Sequence, residues 1–315
     1  MESSKSHDDP AERPTEKSTP TSESTFESKD KETREEDEEQ QYREISAARS
    51  SFWVDDLGDG HVIRFKTTGT TWKAGGIFSE RELRDYYIPE ASALCVATQV
   101  DGPNPGSKAM LRIREQIPTD DSDTDETGSL KLGDHAEVEL NYLRYLTEKN
   151  CTCTPKLIDY EIEAQGKNDN VPGGFRLYIL MEKVPGRNLM NFGELEMAER
   201  DQVRIAFAKA LYEFCDMGLI QEDCHRRNLM WDRKNKKVYI VDLESASHHG
   251  VIQRSVAREF YYWGLAGVSA DDEEVDIDPM VPHRDAFDEC GNPSEEELIE
   301  MAAASMGKST RSRRY

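Results

Sequence analysis

No stretch of this chain approaches the roughly 20 apolar residues that a membrane helix needs, and mean hydropathy is low at -0.78. The residues after Met1 are polar and do not read as a signal peptide. Positive charge is in short supply: 40 Lys and Arg face 63 Asp and Glu, a formal net charge of -23. Such a surface repels nucleic acid and anionic membrane, so neither is expected as a partner. Cysteine is sparse as well, six in 315 residues. Without a secretory signal, that usage points to reduced thiols in a cytoplasmic protein. Cys151-Thr152-Cys153 is the single close pair. With no second pair at ligand spacing, it reads as two small residues in a connection rather than as a zinc site.

What remains is one large domain or two lobes, with ample apolar material for a core. Residues 1–50 stand apart, with 15 acids, 8 bases and hardly any aliphatic side chain. That composition does not offset the entropy of ordering, so a disordered acidic tail is expected there. Asp120, Asp121, Asp123, Asp125 and Glu126 form an acidic insertion within about 119–130. Calcium-loop spacing is not completed, and a loop is expected. The Asp271–Asp278 stretch is a second acidic loop, and residues 293–315 read as a helix running into a basic, fraying tail.

Against this background one stretch concentrates chemistry. Gly218 to Ala246 reads as a loop, a strand from Leu229 to Trp231, a polar turn and a strand from Val238 to Val241. Asp223, His225 and Asn228 precede the first strand and Asp242 follows the second. A hairpin brings those ends together, so two carboxylates and an amide converge on one point. Phosphoryl transfer needs such a set: one carboxylate for the attacking hydroxyl, an amide and a second carboxylate for magnesium.

Asp223-x-x-x-x-Asn228 followed by Asp242 resembles the catalytic loop and metal segment of the protein-kinase-like superfamily. The spelling Asp223-Cys224-His225-Arg226-Arg227-Asn228 with Asp242-Leu243-Glu244 is closer to the aminoglycoside and choline phosphotransferase-like branch, and uncharacterised fungal kinase-like proteins share it. The resemblance covers roughly residues 52–290. It implies an α+β, two-lobed fold: a small β-rich lobe over 51–183 and a short, mainly helical lobe over 184–292. It also implies ATP and Mg2+ as cofactors, Asp223 and Asn228 as catalytic residues, and Asn228 with Asp242 as metal ligands. The acceptor would be a hydroxyl of a small molecule or a protein, and oligomeric state is left open.

Around that centre the pattern is weaker. Phe52 to Val54 and Val62 to Phe65 read as a hairpin about Gly58-Asp59-Gly60. A phosphate-covering loop would need a third glycine, so Gly58, Gly60, Gly75 and Gly76 are expected in turns. Residues 108–117 alternate as a strand, with Ala109, Leu111 and Ile113 on one face and Lys108, Met110, Arg112 and Arg114 on the other. Aligned with the family, its phosphate-anchoring lysine falls on Arg112; Lys108 competes for that role, and so does the reading of both as exposed bases on an edge strand. A helix over 136–149 places Glu139 where the family pairs a glutamate with the strand base. Phe175 to Glu182 is a buried strand, and Glu182 and Val184 fall at the family's adenine-binding hinge. A helix from Leu195 to Met217 is closed by Gly218.

Three departures stand out: Arg112 for lysine, Gln221 for the loop histidine, and Glu222 for the branch's glycine. With the missing glycine loop they favour a rival reading, a pseudokinase that binds nucleotide or a partner and transfers nothing. Glu244 is open between metal ligand and surface carboxylate, and His225 is expected to orient the loop.

Overall fold

The computed structural model describes residues 60–84, 87–119, 128–250 and 256–265. The acidic tail, Phe52–Val54, Gly58, the Asp120–Glu126 cluster, the Asp271–Asp278 loop and the basic end lie outside the described residues.

Alternating apolar residues build a six-stranded, wholly antiparallel sheet. In chain order its strands are β1 (Val62–Arg64), β2 (Thr71–Leu83), β3 (Glu90–Asp101), β4 (Lys108–Gln116), β5 (Leu157–Ala164) and β6 (Phe175–Glu182). Their spatial order is β1-β2-β3-β4-β6-β5, so β4 is interior and not the edge strand weighed from sequence. Helix α1 (Asp134–Glu148) enters between β4 and β5. It ends at Asn150, whose φ of 56° lets the Cys151 N–H reach back 2.9 Å to the Leu146 carbonyl.

The period of two sorts each strand between two cores. Ala109, Leu111 and Ile113 of β4 pack with Tyr178 and Leu180 of β6 and with Trp72, Ala74 and Ile77 of β2. Leu177, Ile179 and Met181 point the other way, against Leu140, Leu143 and Leu146 of α1 and Phe207 and Phe214 of a later helix. Arg112 and Arg114 share that second face, and both are buried.

The first arm of the hairpin expected about Gly58–Gly60 lies outside the described residues; its second arm, Val62–Arg64, pairs with Thr71–Lys73 across a turn at 65–70. Gly75 and Gly76 sit in a register shift inside β2 rather than in a turn. A Cβ on Gly75 would stand 2.9 Å from the Val96 carbonyl oxygen, so the bulge admits no side chain there.

After β6 the chain turns through Gly186 into β7 (Arg187–Asn188), then α2 (Met197–Asp216), β8 (Leu219–Gln221), β9 (Leu229–Asp232), β10 (Lys237–Ile240), β11 (Ala246–His248) and α3 (Val256–Tyr262). β10, β9 and β7 form one small sheet, and β11 pairs with β8 in another. Gly218 closes α2 as expected, at φ 79° with its N–H 2.8 Å from the Cys215 carbonyl. Phe260, Trp263 and Leu265 are buried, and Trp263 packs on Phe207 at 5.4 Å between ring centroids. Three α-helices occur among the described residues, which bears out a mixed α/β chain with a β-rich first half. None of them is long and apolar enough to cross a membrane.

Gly186 is where this half is least forgiving. Its φ is 104°, and a Cβ there would lie 2.1 Å from the Trp231 carbonyl oxygen on β9. Gly186→Ala is expected to lower stability by about 1–3 kcal/mol, as a reduced urea midpoint at unchanged m-value.

Candidate functional site

The order β8, loop, β9, β10, β11 folds one short segment back on itself. β9 and β10 pair from Leu229↔Ile240 to Asp232↔Lys237, and the Val241 N–H donates to the Asn228 carbonyl at 2.9 Å. β8 and β11 pair Gln221 with Ala246, and the Glu222 N–H reaches the Ser245 carbonyl at 3.1 Å. Asn228 and Asp242 therefore lie at the same end of one hairpin. Gln221 locks the two stretches together: its Nε2 donates to the Asp242 carbonyl at 2.7 Å and its Oε1 accepts the Asp223 N–H at 3.2 Å. The residue read as a loss of loop support supplies that support by another route.

Asp223 is held on both sides. Arg227 Nη2 donates to both of its carboxylate oxygens at 2.9 Å, and Asn228 Nδ2 donates to Oδ2 at 2.8 Å and to the backbone carbonyl at 3.0 Å. His225 orients the turn as expected, its Nδ1 accepting the Arg227 N–H at 3.1 Å. Asn228 is buried, while the Asp223 side chain stays about one-third exposed at 31%. A carboxylate fixed in direction yet open to solvent is what an acceptor hydroxyl requires.

Asp242 sits in a different field. Its backbone is left-handed, φ 62° and ψ 71°, a conformation that costs a non-glycine residue free energy. Arg81 Nη2 lies 3.2 Å from Oδ1 and 3.1 Å from Oδ2, and Arg112 Nη2 lies 3.1 Å from Oδ1. Burial would raise this carboxyl, but Arg112 and Arg81, with Arg114 behind, outweigh it and hold the pKa below its ordinary value.

Behind Asp242 lies a buried ion cluster. Arg114 Nη1 donates to Glu90 at 2.6 Å, its Nη2 and Nε to Glu139 at 2.6 and 2.8 Å, and its Nη2 also to Glu244. Arg112 Nε stands 3.2 Å from the other Glu139 oxygen and its Nη1 donates to Ser92 at 3.2 Å. Glu244 bonds Arg81 as well. Burial pushes the Glu90 carboxyl up, with Arg114 pulling the other way. Four carboxylates and three guanidiniums thus meet between β2, β3, β4, α1 and the segment after β10.

No family model matches the chain, and no curated protein matches it. Among solved structures, "Structure of vaccinia related kinase 3" is similar at 12% identity, covering 66% of this chain and 56% of that one, with a TM-score of 0.34. The chain thus spans a little over half of that protein's length. A likeness so slight carries no argument about chemistry, which rests on the residues themselves.

The structure brings Asp223, Asn228 and Asp242 to one end of a hairpin, and joins Arg112 to both Glu139 and Asp242. Lys108 is exposed near the start of β4, far from this cluster's buried face. Arg112 is interior, not an exposed base. Glu244 is no surface carboxylate; it is buried against Arg114 and Arg81. The Glu182 N–H expected near a nucleotide edge is taken by the Lys156 carbonyl at 2.9 Å, as sheet pairing continues past β6. Val184 is buried.

Sequence reading missed Arg81, Arg114 and Glu90. Arg81 lies in Ser79-Glu80-Arg81-Glu82, which reads as a solvated run. Strand register was the signal: Arg81 pairs with Ser92, and Ser92 with Arg114, one row across three strands.

Hard oxygen donors for magnesium are present in Asp242 and the Asn228 amide. The arrangement does not fit the ion, however, because both Asp242 oxygens already face guanidinium nitrogens, and a divalent ion there would meet two fixed cations. Elsewhere, Cys151, Cys153 and Glu213 bring ligand atoms within 4.8 Å of one another. The thiols are 3.4 Å apart, and their hydrogen bond draws Cys151 down to about 7. Glu213, though, already accepts from the Thr152 N–H and hydroxyl. The pair remains a buried connection.

Removing Arg114 would leave Glu90, Glu139 and Glu244 facing one another in the core. Arg114→Leu is expected to cost about 3–5 kcal/mol, measured by urea unfolding.

Proposed function

We propose that the chain is an ATP-dependent phosphotransferase that moves the γ-phosphoryl group to a hydroxyl of a small molecule or a protein. The observation that carries this reading is the fixed, half-open Asp223 carboxylate, tied through Asn228 and Gln221 to Asp242. Asp223 orients the acceptor hydroxyl and takes its proton as the oxygen–phosphorus bond forms and the β–γ bridging bond breaks, releasing ADP. Arg227 keeps the carboxylate aimed. Arg112, set by Glu139, and Arg81 supply positive charge beside Asp242, where phosphates would lie. Magnesium has no part in this step, since guanidinium nitrogens already stand at both Asp242 oxygens.

A second reading, a pseudokinase that binds nucleotide without transfer, is favoured by a specific feature. The bases that would serve phosphates are engaged by Asp242, Glu139 and Glu244.

The two readings separate in one pair of measurements. Transfer of radiolabel from γ-labelled ATP to pooled hydroxyl metabolites and generic proteins is expected for the native chain. Asp223→Ala is expected to lower that transfer by about 10²-fold or more while thermal stabilisation by ATP persists. Unchanged turnover in the variant would remove Asp223 from the mechanism. ATP stabilisation without any transfer by the native chain would establish the pseudokinase.

A further inference from the structure

Among the expected metal ligands Asp242 alone carries charge, and guanidinium nitrogens already stand where a cation would. Arg81 is the decisive one. It arrives from β2, after the Gly75–Gly76 bulge has reset the strand's register, in line with Ser92 and Arg114. Its Nη2 serves both Asp242 oxygens and also Glu244. Among the described residues its Nε and Nη1 make no hydrogen bond, and its side chain is 34% exposed. The nitrogen shared by both edges of the fork is thus spent on carboxylates, while Nε and Nη1 remain as separate donors to an incoming acceptor. A guanidinium is charged at every accessible pH, and its N–H groups make charge-assisted hydrogen bonds to phosphate oxygens.

We infer that Arg81 takes the place of a divalent ion at Asp242, so that the site binds the phosphates of a nucleotide without metal. The inference rests on the nucleotide-site reading above and adds to it the identity of the cation. Arg112 is the second half of the same device: its three nitrogens are divided among Glu139, Ser92 and Asp242, which fixes it in place. Arg81 is held through Nη2 alone, which leaves Nε and Nη1 for ligand. A divalent ion would have to displace both guanidiniums from the Asp242 carboxylate.

The test uses the full chain, with ATP as probe, titrated by calorimetry in EDTA and in MgCl2. The native protein is expected to bind ATP with the same affinity in both, within about threefold. Arg81→Ala is expected to lose about tenfold or more in EDTA, the worth of a charge-assisted hydrogen bond, and to regain affinity when MgCl2 is added. Manganese, followed by electron paramagnetic resonance, should stay free with the native chain and bind to Arg81→Ala. Arg81→Lys keeps the charge but not the separate Nε and Nη1 donors; it should exclude manganese and still bind ATP weakly, and circular dichroism reports whether either variant keeps its fold. ATP binding by the native chain that requires MgCl2 would overturn the role given to Arg81 and leave the nucleotide site standing. ATP binding in neither buffer would overturn the nucleotide site itself.

Discussion

The whole arrangement depends on how one buried cation, Arg114, is compensated. Its guanidinium is fully enclosed and meets carboxylates from three separate parts of the chain: Glu90 at the start of β3, Glu139 on α1 and Glu244 after β10. Burying any one of these groups alone is prohibitive, so each demands the others. Sheet, helix and hairpin are thereby indexed to one another by charge as well as by apolar packing. Helix α1 is the clearest case. Leu140, Leu143 and Leu146 set its distance from the sheet, whereas Glu139 sets its rotation and height.

The same compensation fixes the site. Glu244 is drawn inward by Arg114, and it follows Asp242 by two residues through a tight 3-10 turn. Asp242 must then take a left-handed backbone, and its carboxylate lands between Arg81 and Arg112. Local strain at Asp242 is offset by a core interaction two residues later, a division of labour found where backbone geometry serves a site. Gln221 adds the last constraint, joining the Asp242 carbonyl to the Asp223 amide, so that two loops distant in sequence move as one.

Much of this was legible in the sequence, for definable reasons. Period-two alternation marked β4 and a continuous apolar run marked β6, each almost to the residue, and period 3.6 marked α1 and α2. The pairing of Asp223 and Asn228, and their approach to Asp242, followed from two apolar runs flanking a polar turn. What stayed hidden depends on strand order and register. Nothing local says that β4 lies inside the sheet, so Arg112 and Arg114 read as well on a surface as in a core. Gly75-Gly76 carries no turn partner and gives no sign that it is a bulge; yet that bulge, with a second register shift between Ile77 and Ser79, sets the alignment that brings Arg81 to Asp242. Glu90 and Glu244, each charged and each flanked by ordinary neighbours, show no preference for burial until Arg114 is placed between them.

The three departures from the family pattern take on another meaning in this light. A lysine at 112 offers one nitrogen at the end of a flexible stem. The arginine offers three in a plane: Nη1 and Nη2 donate to Ser92 and Asp242, and Nε stands 3.2 Å from Glu139 as an ion pair. Gln221 spans two backbones because a primary amide has a donor and an acceptor on one short side chain. Glu222 lies outside the core, where its carboxylate accepts from the Ser247 hydroxyl at 2.5 Å. Arg112, Arg81, Glu244 and Gln221 satisfy one another, so they are better explained as parts fitted together than as separate lapses. In the proposed site the guanidinium charge of Arg81 and Arg112 is already at Asp242 before any ligand arrives, so binding there would not wait on a cation from solution.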